Sequence, residues 1–171
     1  ANGAGLTVDG ASATFNYANT GDKWTMNKPL DVTGAVTATG ATINGPLQVN
    51  EILEKATIDT STSGTLAVDS TVQGVVFLNT NQTANRTINF SNVDSNMAVG
   101  ESMSFAVLST QGSSAYYFNG YQVDGSSVTP KWQGGSAPTA GNASGIDVYN
   151  FTIIKTASAT FTVLASISQF A

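Results

Sequence analysis

Residues 30–50 form the stretch LDVTGAVTATGATINGPLQVN, in which Gly34, Gly40 and Gly45 are spaced six and five residues apart. Each glycine follows a short run that contains Thr, Val or Ile, residue types that favour strands. Because glycine readily takes a positive φ angle, this spacing turns the chain too often for hairpins with their own loops. The pattern therefore predicts very short strands separated by glycine turns.

The sizeable apolar residues of this stretch are too few for one copy of it to bury a face alone. They are Leu30, Val32, Val36, Ile43, Leu47 and Val49. Short strands of this kind gain a core by winding around identical neighbours, and small Ala and Gly residues let three backbones approach one axis. The pattern predicts an intertwined, trimeric β-fibre shaft over residues 29–50. An irregular Gly/Thr-rich linker is the alternative interpretation.

The N-terminal segment, residues 1–28, carries a hairpin pattern. Apolar and polar residues alternate over residues 6–9 and again over residues 13–17, and the turn pair Asp9-Gly10 lies between them. This arrangement predicts two antiparallel strands. Trp24 follows a further turn signal, and we expect it to be a packed plug above the shaft.

The pattern changes after Asn50, where residues 51–171 predict a C-terminal domain. Residues 50–55 fit one helical turn with Asn50 as N-cap, and Glu51 and Glu54 are interpreted as first-turn acids. Eight strand candidates follow, at residues 65–69, 72–79, 86–90, 102–109, 115–123, 127–132, 146–156 and 160–168. This number and spacing predict a β-sandwich or jelly-roll-like fold. Clean alternation places Met103, Phe105, Val107, Tyr149, Phe151, Ile153, Phe161, Val163, Ala165 and Ile167 in its core.

Composition supports an all-β chain and argues against several functions. Only 10% of residues are charged, against an average of about 25%, and Ser, Thr, Asn and Gly replace good helix formers. The six basic residues are dispersed, so we expect no nucleic-acid partner. The sequence has no His and no Cys, which removes the usual general base and the usual metal ligands. We therefore expect no catalytic site, no metal, no cofactor and, without a long apolar run, no membrane insertion.

Aromatic residues in two polar, Gly-rich stretches are the candidate ligand-binding residues. They are Tyr116, Tyr117, Tyr121 and Trp132, with Phe118 among them. Rings set among Ser, Asn, Gln and Gly suit sugars, because they stack on apolar sugar faces while neighbours hydrogen-bond hydroxyls. The competing interpretation is that the same rings belong to the core or to a trimer interface. Strand alternation predicts Tyr117 and Tyr121 on one side and Phe118 on the other.

Two parts of the sequence resemble phage virion proteins. GDKWTMNKPLDVTGAVTATGATINGPLQV, residues 21–49, is similar to shaft segments of bacteriophage tail fibres, in which a Trp-x-x-x-x-Pro-Leu-x-Val-x-Gly motif introduces short Gly-punctuated repeats. Residues from about 51 to 171 resemble a C-terminal domain of structural proteins from marine cyanobacterial viruses. The matching stretches there are ILEKATI, TANRTINF, VDGSSVTPKWQGGSAPTAGNASGIDVYNFTIIKTAS and LASISQFA.

The resemblance implies a virion structural protein, exposed to the medium as part of a homotrimeric tail fibre that contacts other tail proteins and the host cell surface. A host polysaccharide or an outer-membrane protein is the implied receptor. A virion component without receptor binding, such as a baseplate accessory or head decoration, is the alternative. A polysaccharide-degrading tail spike is less favoured, because the eleven acidic residues are scattered and such sites need paired carboxylates. A bacterial surface lectin or pilus-like adhesin is a further alternative.

Overall fold

The computed structural model describes residues 2–8, 10–38 and 41–171, and the chain divides into two compact units. The N-terminal unit is Ala1–Asn50 and the C-terminal unit is Glu51–Ala171. Strands dominate the described residues and helix is almost absent, which confirms the prediction of an all-β chain. Within the described part of the chain, no helix is long and apolar enough to cross a membrane.

The N-terminal unit contains a three-stranded antiparallel meander of β1 (Gly5–Val8), β2 (Ala13–Ala18) and β3 (Lys23–Met26). The two predicted strands are present as β1 and β2, and Asp9 of the predicted turn lies outside the described residues. Trp24 is in β3, where its ring stacks on Phe15 with ring centroids 4.9 Å apart. The Trp24 side chain is 57% exposed in one chain, so it is not a buried plug there.

The predicted shaft, residues 29–50, forms no strand or helix over its described residues, and Gly40 lies outside them. In the predicted shaft, short strands pair with strands of other copies. Because the structure contains one chain, the trimeric shaft stays a prediction. The predicted helical turn at residues 50–55 is wrong, because these residues are not helical. A single turn fixes several residues for little hydrogen bonding, and Ile52 and Leu53 have no packing that repays this cost.

The C-terminal unit contains ten strands and a four-residue helix. The strands are β4 (Thr57–Asp59), β5 (Thr65–Asp69), β6 (Val75–Leu78), β7 (Arg86–Ser91), β8 (Ser102–Thr110), β9 (Phe118–Val123), β10 (Ser126–Ser127), β11 (Lys131–Trp132), β12 (Ile146–Ala157) and β13 (Thr160–Phe170). Helix α1 spans Val93–Asn96, and a 3-10 turn spans Gln133–Gly135. Each of the eight predicted strands overlaps an observed one, with ends that differ by up to three residues, and the prediction at 127–132 overlaps both β10 and β11.

Two sheets enclose one core, but their strand pairing is not that of a jelly roll. The four-stranded sheet has the order β10-β9-β7-β5, and the six-stranded sheet has the order β11-β13-β12-β8-β6-β4. From β4 to β9 the chain alternates between the sheets, and successive strands within each sheet are parallel. A jelly roll is antiparallel, whereas this part of the chain is a two-sheet parallel coil. The antiparallel pair β12 and β13 then extends the six-stranded sheet.

The core between the two sheets is built mainly from strand residues of alternating parity. Phe90 is at its centre, with ring centroids 4.9 Å from Phe105 and 5.0 Å from Phe151. The predicted core residues are confirmed: seven of the ten are buried, and Met103, Phe161 and Ile167 are partly buried against the others.

A buried lysine fastens helix α1 to the six-stranded sheet. The Lys155 ammonium donates hydrogen bonds to the backbone carbonyls of Asp94 (2.6 Å) and Met97 (2.9 Å) and forms an ion pair with the Asp94 carboxylate (2.9 Å). These contacts hold the pKa of the Asp94 carboxyl below its usual range. At the start of the helix, the Asp124 carboxylate accepts hydrogen bonds from the backbone N–H groups of Val93 and Asp94. Side chains from β12 and from the turn after β9 therefore fix this short helix.

Candidate aromatic binding site

Two of the four candidate residues, Tyr121 and Trp132, meet at one end of the C-terminal unit. Tyr121 is on β9 of the four-stranded sheet and Trp132 is on β11 of the six-stranded sheet. Their ring centroids are 5.5 Å apart in an edge-to-face arrangement, with an interplanar angle of 64°. Because β10 and the following residues connect these two strands, the loop and both rings form one surface.

The two rings line an open depression of about 550 Å³. Its other lining residues are Asn119, Gly120, Ser127, Val128, Thr129, Pro130, Gly135 and Ala137. None of these residues carries a charge, so the depression offers aromatic faces, one side-chain amide and two hydroxyls. Such a surface suits an uncharged molecule rich in hydroxyl groups.

A β-bulge in β9 determines which way Tyr121 faces. Arg86 is opposite Phe118 but the next residue, Thr87, is opposite Gly120, so Asn119 is the extra residue. The bulge changes the side-chain parity, and Phe118 and Tyr121 both pack on the core side. The prediction that they lie on opposite sides is therefore wrong, because simple alternation does not include a bulge.

The Tyr121 side chain is held firmly in place. Its hydroxyl donates a hydrogen bond to the carbonyl of Phe118, and its ring centroid is 6.1 Å from that of Phe151. Burial, with a smaller effect of Tyr117, raises the pKa of the Tyr121 hydroxyl. The side chain therefore stays neutral near pH 7 and presents its ring edge and face to the depression.

Both rings also belong to the edge of the core, as the competing interpretation expects. Trp132 has its ring centroid 6.3 Å from that of Phe151, and Tyr121 contacts the same ring. Each side chain is partly buried against the core cluster. The same residues thus pack inward and line the depression, and only their outward surface is accessible to a ligand.

Tyr116 and Tyr117 do not line this depression. They lie beside Phe118, Gln82 and Arg86, around a site that holds no volume for a water molecule (about 0 Å³). The Tyr116 N–H donates to the Gln111 side chain (2.9 Å), and the Tyr117 N–H donates to the Asn85 side chain (3.1 Å). The predicted aromatic cluster therefore separates into two places.

Arg86, next to these two tyrosines, is a buried cation whose hydrogen bonds go to neighbouring loops. Its guanidinium donates to the carbonyls of Gly64 (3.1 Å) and Ser61 (3.0 Å), to the Ser61 hydroxyl (3.0 Å) and to the Gln82 side chain (3.0 Å). Burial lowers the pKa of this guanidinium. These contacts describe a structural clamp on residues 61–64 and give no sign of an anion site.

Residues 127–130 are the part of the depression that sequence reasoning missed. Ser127, Val128, Thr129 and Pro130 all line it, whereas the sequence indicated the rings and the loops 113–121 and 132–145 on either side. The stretch Ser127-Val128-Thr129-Pro130 stands directly before Lys131-Trp132, and a proline two residues before an aromatic residue in a short connection is the available signal.

The side chains at the depression include no acid, base or nucleophile positioned for catalysis. In residues 2–8, 10–38 and 41–171, no three His, Cys, Asp or Glu side chains group closely enough to hold a metal ion. The depression offers ring surfaces for stacking and neutral groups for hydrogen bonding.

The six predicted shaft residues are not among the residues that line the depression. All are exposed in one chain, with exposed fractions from 43% for Val32 to 74% for Val36. Exposed apolar side chains repeated along one segment are typical of a surface that associates.

No family model, no curated protein and no solved structure matches this chain. Its function is therefore proposed from its own residues, their geometry and the resemblance of its sequence to phage fibre shafts.

Proposed function

We propose that this chain is a structural and adhesive component of a bacteriophage virion, assembled as a homotrimeric tail fibre whose C-terminal unit contacts the host cell surface. One observation carries the proposal: the six large apolar side chains described between Leu30 and Val49 are all exposed in one chain. Leu30 is 65% exposed, Val36 is 74% exposed and Leu47 is 67% exposed.

Burial of these side chains by other copies supplies the energy of assembly. Removing one Val or Leu side chain from water contributes about 1.5 to 3 kcal/mol, and each copy offers six such side chains. The small residues between them, among them Gly34, Ala35 and Ala38, leave room for close backbone approach. The resemblance to phage fibre shafts supports three copies.

A charge placed among these side chains tests the assembly. In Val36→Asp the copies would bring carboxylates together in apolar surroundings, which is costly. We expect most of the protein to lose its assembled state at micromolar concentration. Thr33→Asp is the matched control, since it adds the same charge to an exposed polar position of the same segment. Equal assembly of both variants and the parent protein contradicts the proposed axis.

Host contact is assigned to the Tyr121–Trp132 depression, and a cell-surface polysaccharide is the favoured receptor. An uncharged surface with two rings matches neutral, hydroxyl-rich ligands better than a charged protein loop. One shallow site of this kind offers about 4 to 6 kcal/mol, corresponding to a dissociation constant between millimolar and tens of micromolar. Three sites on one particle increase the overall strength through avidity.

Binding of labelled protein to host cells tests this assignment. We expect Trp132→Ala to lose adhesion, and Tyr116→Ala, away from the depression, to keep it once circular dichroism shows both folded. Adhesion equal to wild type in a folded Trp132→Ala rejects the depression as the contact site. If the folded assembly neither adheres nor blocks virus adsorption, the receptor-binding part fails. Shortening of host polysaccharide over time would favour the tail-spike alternative.

A virion component without receptor binding is the second candidate, and one observation favours it. Tyr121 and Trp132 both pack on Phe151, so their presence is also explained by the core alone. Under this alternative the fibre assembles as proposed, and loss of either ring lowers stability without changing adsorption of the virus.

A further inference from the structure

The two outer faces of the C-terminal unit have opposite character. On the four-stranded sheet, the side chains directed away from the core are small or polar: Thr65, Ala67, Asp69, Thr87, Asn89, Ser91, Gln122 and Ser127. This is the composition expected of a sheet face in contact with water. The face therefore needs no covering partner.

The outer face of the six-stranded sheet carries large apolar side chains among polar ones such as Ser104, Asn150, Thr152 and Ser168. The apolar ones are Ile58, Val75, Phe77, Leu108, Ile146, Val148, Ile154, Leu164 and Phe170; those on β6, β8, β12 and β13 are opposite in parity to the buried core residues of their strand, and Ile58 pairs with Phe77. Ile58 is 56% exposed, Leu164 is 43% exposed and Phe170 is 58% exposed. We call this surface the apolar sheet face. The outer faces of the two sheets therefore differ in how much large apolar surface they present to water.

Strand register organises the apolar sheet face. Ile58 pairs with Phe77, Phe77 pairs with Leu108, and Leu108 pairs with Val148, so one apolar row crosses four neighbouring strands. A second row at the end of the sheet joins Ile146 and Phe170. Phe77, Leu108, Val148 and Ile146 are half-buried by their neighbours, whereas Ile58 and Phe170 are exposed, and contiguous apolar rows that remain accessible to solvent are typical of interaction surfaces.

Charge identifies the kind of partner that this face accepts. On strands β6, β8, β12 and β13, all described in full, no outward side chain is charged, and the two charged side chains of β12, Asp147 and Lys155, are buried on the other side. A copy of the same face therefore meets it without charge repulsion or charge desolvation, although the chain has a net charge of −5. The face is complementary to itself.

Charged side chains of opposite sign lie near the two edges of the six-stranded sheet, at about the same level along the strands. Lys131 on edge strand β11 is paired with Leu164, and the same row continues through Thr152 to Ser104. At the other edge, the Glu54 carboxylate lies against Gly74 and borders the same opening as Ser104. Copies that are related by rotation about an axis parallel to the strands keep each residue at the same height along that axis. Such a rotation brings Lys131 of one copy towards Glu54 of the next.

We propose that copies of this chain meet through the apolar sheet face, in a closed ring where the Lys131 edge of one copy adjoins the Glu54 edge of its neighbour. The inference rests on the proposed homotrimer and adds a second contact surface, in the C-terminal unit, to the one proposed for residues 29–50. A head-to-tail contact closes into a ring when its rotation closes, which for three copies means one third of a full turn per copy.

Chemical cross-linking of the full chain tests the ring directly. Because the sequence has no Cys, cysteines introduced at Glu54 and Lys131 react alone. We expect a short bismaleimide to convert the Glu54→Cys, Lys131→Cys variant into covalent dimers and trimers on a denaturing gel. A variant with Thr65→Cys and Gln122→Cys, on the opposite outer face, is the matched control and stays monomeric on the gel.

A second variant tests the apolar row itself. Leu108→Asp is expected to weaken association on the order of a hundredfold, because it places a carboxylate in an apolar contact. Ala67→Asp makes an apolar-to-acid change on the outer face of the four-stranded sheet and leaves association unchanged. If Leu108→Asp does not fold by circular dichroism, the cross-linking result decides alone.

The outcomes separate this inference from the proposed function. Trimeric mass without cross-linking between positions 54 and 131, together with normal association of folded Leu108→Asp, overturns the ring and leaves the trimeric fibre standing. Loss of binding to a different virion protein in Leu108→Asp, with the trimer intact, also overturns it, since another partner then covers the face. Monomeric wild-type protein overturns both proposals.

Discussion

The two units of the chain differ in where their apolar side chains lie. In the C-terminal unit, Val68, Ile88 and Phe90 are fully buried between two sheets. In the N-terminal unit, Leu6 is 66% exposed and Val36 is 74% exposed. The difference teaches that the C-terminal unit contains its own core, whereas the described N-terminal unit leaves large apolar side chains exposed, which is what the proposed assembly would bury.

The largest expected effect is the loss of stability in Phe90→Ala, for which Phe15→Ala in the N-terminal unit is the comparison. Phe90→Ala removes a fully buried ring, and we expect the free energy of unfolding to fall by about 3 to 5 kcal/mol. Phe15→Ala, at a side chain 41% exposed in one chain, is expected to change the unfolding of the C-terminal unit by less than about 0.5 kcal/mol. Urea denaturation followed by tryptophan fluorescence and circular dichroism measures both. Similar losses in the two variants would break the comparison.

Lys155→Met is expected to have the next largest effect. It leaves the carbonyls of Asp94 and Met97 without their charged donor and should lower the free energy of unfolding by about 2 to 3 kcal/mol. Lys55→Met, at an exposed position, is the control for loss of a lysine charge. Hydrogen exchange should show faster opening of residues 93–97 in Lys155→Met. Unchanged stability and exchange would mean that the buried ammonium does not fasten helix α1.

Leu47→Ala sharpens the comparison in the N-terminal unit. In an isolated chain this change removes an exposed side chain and should cost nothing, whereas burial by other copies makes it cost about 1 to 2 kcal/mol per chain. We expect a lower dissociation temperature that depends on protein concentration. Thr33→Ala is the control in the same segment. A dissociation temperature equal to that of the wild type would place Leu47 outside any interface.

The smallest effect is expected for Asp147→Asn and concerns pH. Burial raises the pKa of the Asp147 carboxyl, although the Asn142 N–H and the side chains of Gln169 and Gln111 oppose this shift. A raised pKa in the folded state means that the ionised form costs stability at neutral pH, and that this cost disappears as pH falls through the folded pKa. The stability of wild type relative to Asp147→Asn should therefore rise towards acidic pH. A relative stability that falls on acidification would reverse the assigned direction.

Local patterns predicted the strands and core of the C-terminal unit well. Alternation identified Phe105, Phe151 and Val163 as core residues because side-chain parity is a local property of a strand. The pairing of strands is not local: the loops between β4 and β9 cross from sheet to sheet, and nothing in their length separates this coil from a series of hairpins. The parallel coil was therefore not predicted.

Features fixed by distant residues were also missed. Strand β4, Thr57–Asp59, is three residues long and exists because β6 pairs with it. Helix α1 is too short for a sequence signal and depends on Lys155 and Asp124. At the candidate site, alternation failed at the Asn119 bulge, and only the fold shows that Tyr121 joins Trp132 while Tyr116 and Tyr117 lie apart.

The mass of the wild-type protein in solution tests most directly whether copies of the chain cover the exposed apolar side chains. One chain has a mass of 17.5 kDa. Multi-angle light scattering at micromolar concentration should give three times this value, and the mass should persist on dilution because intertwined chains separate slowly. A mass of 17.5 kDa across the concentration range would contradict the account.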